Sequence, residues 1–192
     1  TLAARGYARA GSERVRRWGG RGARNLIREA LAHAAAIPPE QVADVLLEDA
    51  LASYLARYLE DCAGATTLMP GAAALLDSLR TSGVALACVT NKPIAITRRV
   101  LAALLPGAGF VAVLGGDSGA GTKPAPDPLL AVLAGAGVQP SAALMIGDSR
   151  HDVHAARAAA VRVICVAGGY NHGEDIRLEA PDLVVEGLGE LL

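Results

Sequence analysis

At 192 residues and 52% hydrophobic, the chain suits one domain, or one domain with a smaller insertion, around a sizeable core. A charged fraction of 19% excludes a disordered chain, and a net charge of −1 gives no global attraction to nucleic acid or to an acidic membrane surface. No apolar run is long enough to cross a bilayer, no signal-peptide pattern stands out, and three widely spaced cysteines (Cys62, Cys88, Cys165) read as free thiols, so a cytoplasmic location is expected.

The chain opens with arginines, from Arg5 to Arg28, opposed only by Glu13 and Glu29. Tyr7 and Trp18 are the only aromatics among them, too few for a nucleic-acid surface, so no nucleic-acid partner is expected. From about position 21 to 61 the pattern is helical, broken once at Ile37-Pro38-Pro39, with Pro39-Glu40-Gln41 expected to restart the helix as a first-turn proline does. Val42, Leu46, Leu47, Ala50, Leu51, Tyr54, Leu55, Tyr58 and Leu59 recur at three-and-four spacing, giving one apolar face for a core. Residues 62–67 read as a linker.

From Met69 onward strands and helices alternate. Helices are expected over 72–81, 94–105, 127–136 and 151–160, and strands over 84–89, 110–114, 143–146, 162–166 and 183–185. The strands are apolar throughout rather than alternating, which predicts a parallel sheet covered on both faces. Cys88 and Cys165 lie within them and are expected to be buried.

Three loops follow the first three strands and should open on one edge of the sheet, where parallel sheets bind ligands. The first holds Thr90-Asn91-Lys92-Pro93, either a hydroxyl and amide cradle for an anion or the ordinary cap of the next helix. The second, Gly115 to Pro124, has P-loop glycine spacing but the wrong order, since Thr122 precedes Lys123. What it offers is one lysine on a constrained loop. The third holds Asp148 and Asp152, which read as oxygen ligands for a divalent cation such as Mg2+, or as a helix cap and a dipole partner. His151 and His154, three apart on a helix, lack a third ligand and read as surface histidines.

Val89-Thr90-Asn91-Lys92-Pro93, Lys123-Pro124-Ala125-Pro126-Asp127-Pro128 and Gly147-Asp148-Ser149-Arg150-His151-Asp152 resemble, in order, the second, third and fourth motifs of the haloacid dehalogenase-like phosphatases. Gly168 to Gly173 and the stretch from Ser12 to Ala23 are similar to the bacterial phosphoglycolate phosphatases within that superfamily. The resemblance implies an α/β fold: a doubly wound (Rossmann-like) parallel sheet core over 68–192 and a helical cap over 1–67. It implies a Mg2+-dependent phosphomonoesterase acting on a small phosphorylated acid, with 2-phosphoglycolate favoured, as a monomer or homodimer with no membrane partner. Thr90 and Asn91 would bind the substrate, Thr90 and Lys123 would act on the phosphoryl group, Lys123 would also bind it, and Asp148 would bind the metal. Asp152 would bind metal directly, through water, or position Lys123.

One departure stands out. The family's first motif, Asp-x-Asp-x-Thr, supplies the attacking carboxylate and the general acid from the sheet's first strand, and no Asp-x-Asp occurs in this sequence. The nearest acidic pairs, Glu48-Asp49 and Glu60-Asp61, fall on expected cap helices as solvated faces. The central strand is therefore expected to be absent from these residues, leaving the chain inactive by itself. Alternatives are a phosphatase of the same superfamily acting on a sugar phosphate or pyrophosphate, and a non-catalytic phosphate-binding remnant. Arg21 and Arg24 read either as carboxylate readers or as exposed cap arginines.

Overall fold

A computed structural model describes all residues, 1–192. Its first part is helical: α1 (Ser12–Trp18), α2 (Ala23–Ala35) and α3 (Asp44–Glu60). Ile27, Leu31 and Ala32 of α2 meet Leu47 and Ala50 of α3, with Val42 between, in one buried apolar cluster. The expected restart at Pro39 is a single 3-10 turn, Pro39–Gln41, and the α-helix begins only at Asp44. A turn that holds Pro38 and Pro39 lacks two of the N–H donors a helix needs. Cys62, expected in a linker, is buried. Part of the arginine-rich start is paired: Arg5 with Asp49, Arg24 with Asp44 and Glu48, and Arg28 with Asp44.

The second part alternates: α4 (Ala72–Thr81), β1 (Ala87–Val89), α5 (Ile94–Leu104), β2 (Ala112–Leu114), α6 (Asp127–Ala136), β3 (Leu144–Gly147), α7 (Arg150–Ala158), β4 (Arg162–Val166) and β5 (Leu183–Val185). All paired strands are parallel, in the α/β arrangement of a doubly wound fold. The core centres on β4, the middle strand of its sheet, where Val163 and Cys165 are fully buried against Val153, Ala155 and Ala156 of α7. Burial, followed by Asp152 and Asp148, pushes the Cys165 thiol up to about 12, so it stays protonated.

The parallel strands form in two groups, with a gap where a central strand was expected to be absent. There are two pieces, β1–β2 and β3–β4–β5, with no hydrogen-bonded ladder joining β1 to β3. β1 is shorter than expected because its partner segment begins at Val111, whose N–H meets Leu86 O at 2.8 Å, leaving Val84 47% exposed. β1 and β3 are each paired on one side only.

An unpaired edge is a template for another chain. The 192-residue chain is therefore expected to associate with increasing concentration in light scattering, and lysine in place of the exposed β3 residue Leu144 (Leu144→Lys) should reduce that association. A monodisperse monomer at all concentrations would contradict this.

Candidate phosphate-binding site

The loops after β1, β2 and β3 close one side of a cleft of about 510 Å³, and the helical part closes the other. Thr90, Lys123, Asp148 and Asp152 all line it, so the structure brings together the four residues that the sequence set on one rim.

Lys123 is the centre of the arrangement. Its Nζ lies 2.6 Å from Val89 O, at the end of β1, and 2.6 Å from Asp152 Oδ1, at the start of α7. An ammonium has three N–H donors, so one remains for a ligand. Both partners are nearly dry: the Lys123 and Asp152 side chains are 10% and 5% exposed. Asn91 fixes the backbone beneath it. Its Oδ1 accepts from Lys123 N (2.9 Å), and its Nδ2 donates to Lys123 O (2.8 Å) and to Gly20 O of the helical part (3.0 Å). Asn91 was expected to bind substrate, but both its N–H donors are already committed. Its observed work is to hold Lys123 and the cap side together.

Asp152 is similarly saturated. Its Oδ2 accepts from Asp148 N, Ser149 N and Ser149 Oγ, within a capping box at the start of α7, while Oδ1 takes Lys123. Burial by itself would raise its pKa. The Lys123 charge and these hydrogen bonds outweigh burial and hold it below the usual carboxylate range. Of its three expected roles, positioning Lys123 is the one these contacts serve. Direct metal ligation would have to displace one of the four donors. Asp148 is different. One oxygen accepts from Tyr170 N at 3.2 Å, the other has no protein donor, and no cation pairs with it. Burial raises its pKa, Tyr170 N–H partly offsets that, and Asp152 adds to the rise.

Two glycines make this crowding possible. A Cβ on Gly147 would stand 2.4 Å from Asp152 Cβ, and one on Gly169 would stand 2.3 Å from Asp148 Cβ. Thr90 is set by its own loop: Lys92 N donates to Thr90 Oγ1 at 3.1 Å, which leaves the hydroxyl proton free to donate into the cleft. The cap of α5 comes instead from Asp117, whose Oδ1 accepts from Ile94 N at 2.7 Å.

The histidines separate. His154 is exposed and pairs with Glu179, whereas His151, expected at the surface, is only 7% exposed. His172 Nδ1 donates to Arg17 O at 2.7 Å, since a carbonyl only accepts, and its Nε2 meets His151 Nε2 at 3.2 Å. Burial first, then His172, lowers the His151 pKa. Lys92, quoted with its motif but given no role, and Tyr54 and Tyr58, read only as core, also line the cleft. Arg24 is consumed by its ion pairs and Arg21 lies exposed outside the cleft lining.

A family model described as haloacid dehalogenase-like hydrolase matches residues 2–160. The chain is 42% identical over 191 residues to phosphoglycolate phosphatase 1 of Pseudomonas aeruginosa, covering all of this chain and 69% of that protein. It is 43% identical over 183 residues to a phosphoglycolate phosphatase of Pseudomonas putida, covering 95% of this chain and 66% of the relative. The chain thus spans about two thirds of the length of these curated relatives. Among solved structures, a "predicted phosphoglycolate phosphatase" of Haemophilus somnus superposes with a TM-score of 0.91 at 27% identity, over 99% of this chain and 84% of that one.

The two carboxylates should respond oppositely to neutralisation. Asp152→Asn leaves the Lys123 ammonium buried and unpaired, and should cost about 3–5 kcal/mol in urea unfolding at pH 7. The Asp152 contribution is full above its unfolded pKa, near 3.9, and is lost as pH falls through the lower folded value. Asp148→Asn, with no metal added, should be neutral or stabilising at pH 7, because ionising that raised carboxyl opposes folding. Equal destabilisation by both would refute this division.

Proposed function

Because the chain belongs to the haloacid dehalogenase-like hydrolases, we propose that it carries the phosphate-binding half of a phosphomonoesterase site for a small phosphorylated acid, 2-phosphoglycolate being the favoured substrate. The observation that carries the reading is the convergence of the Thr90 hydroxyl, the Lys123 ammonium and the Asp148 carboxylate on one cleft. The Thr90 proton and the remaining Lys123 N–H donate to the oxygens of the transferring phosphoryl group. They are worth most where negative charge gathers in a partly dry cleft.

The donor set suits a divalent cation modestly well. Asp148 is a half-buried carboxylate with a bare oxygen and no paired cation, and Mg2+ commonly takes one or two carboxylates together with phosphate and water. Asp148 would hold it, and when bound it would offset charge shared between carboxylate and phosphate. Asp152 keeps Lys123 aimed.

The nucleophile is the missing part. No carboxylate other than Asp148 and Asp152 lines the cleft. We assign attack to an Asp-x-Asp strand that would enter between β1 and β3, where each has an unpaired edge: its first carboxylate bonds to phosphorus as the ester P–O bond breaks, its second protonates the leaving oxygen, and water then hydrolyses the aspartyl-phosphate. The absence of Asp-x-Asp also favours a second reading, a phosphate-binding remnant without turnover.

Joining an upstream segment bearing that motif and measuring phosphate release separates the two. Mg2+-dependent hydrolysis of 2-phosphoglycolate is expected for the extended protein and none for the 192-residue chain. Thr90→Ala or Lys123→Met should each lower the rate about 100-fold or more. An extended, folded protein that hydrolyses no small phosphate ester would sink the phosphatase reading.

A further inference from the structure

Lys92 is a charge without a partner. It follows Thr90 by two positions, lines the same cleft, and forms no ion pair with any carboxylate. Its backbone is fixed on both sides: the N–H donates to Thr90 Oγ1, and the carbonyl accepts from Gly116 N at 2.9 Å. Its ammonium lies 5.4 Å from the centroid of the Tyr58 ring, within cation–π range, so a core loop and a cap helix hold it together. Tyr54 packs beside Tyr58, with ring centroids 5.6 Å apart, and completes an aromatic wall behind the ammonium.

Lys92, Lys123 and Arg16 outnumber Asp148 and Asp152 in the cleft lining by one positive charge, and Lys92 pairs with neither carboxylate. Lys123 is matched by Asp152, and Asp148 has the character of a cation ligand. Lys92 therefore faces the cleft as a positive charge with nothing to neutralise it. Resting on the phosphatase reading above, we infer that Lys92 is the specificity-determining residue that receives the substrate's carboxylate while Thr90 and Lys123 hold the phosphate. Thr90 and Lys92 stand two positions apart on one loop and line one cleft, which suits the two anionic ends of a single small molecule. A two-carbon phosphorylated acid meets that condition. Arg16 also lines the cleft without an ion pair, but it stands exposed on α1, where water screens it.

The test is equilibrium binding to the 192-residue chain with Mg2+ present, using 2-phosphoglycolate, ethyl phosphate and inorganic phosphate. Ethyl phosphate replaces the carboxylate by a methyl group and keeps the rest. The chain should bind 2-phosphoglycolate about tenfold or more tightly over ethyl phosphate, as befits a charge-assisted contact. Lys92→Met, which keeps an unbranched stem against Tyr58, should shrink that preference to about twofold or less while inorganic phosphate binding is kept. Lys92→Arg should restore much of the preference, and Arg16→Met should leave it in place. Three failures are distinct. If none of the three compounds binds, the phosphate reading falls and this assignment with it. If the unmodified chain binds ethyl phosphate as well as 2-phosphoglycolate, the carboxylate assignment falls while the phosphate site stands. If the preference survives Lys92→Met, or is lost in Arg16→Met instead, Lys92 is not the reader.

Discussion

One buried ammonium holds the site together. Lys123 reaches from the end of β1 to the first turn of α7, which follows β3, a strand that shares no backbone ladder with β1. Remove it, and Asp152 becomes a buried carboxylate facing three weaker donors while Val89 O loses its partner. Coulomb attraction in a dry setting makes this contact strong, and the cost of drying both charges makes it intolerant of losing either. The rest of the rim is organised to keep that lysine in place. Asn91 clamps its backbone, Ser149 and Asp152 lock the helix it touches, and Gly147 gives Asp152 room to approach.

That arrangement also divides the work of two carboxylates only four residues apart. Asp152 spends its oxygens on the protein and is kept ionised. Asp148, with one backbone N–H for a partner, is left short of positive charge. A structural anion beside an available one is how a single strand end can serve both packing and chemistry. The helical part contributes differently. It closes the cleft with aromatic rings and touches the core through Gly20, Arg17 and Tyr58.

Much of this was legible in the chain. The parallel α/β pattern, α4, α6, β4 and β5 at their observed limits, and the meeting of Thr90, Lys123 and Asp148 follow from apolar runs and from loops that share one sheet edge. Asp152 could be placed but not assigned, because ligation and helix capping both want a carboxylate at that spacing. The clamp that Asn91 makes could not be read in advance, since its partners lie 32 and 71 positions away and only the folded chain shows them. His151 was misread for the same reason: its neighbour His172 arrives from another loop. The gap between the two strand groups agrees with a missing Asp-x-Asp strand and not with the apolar runs alone, because such runs reveal strands and not their neighbours.

The double attachment of Asn91 has a mechanical meaning. One amide nitrogen donates at once to the cap side, at Gly20 O, and to the backbone of Lys123. The other hydrogen of that amide and its oxygen stay on the Lys123 backbone, so one side chain ties the helical part to the loop that carries the lysine.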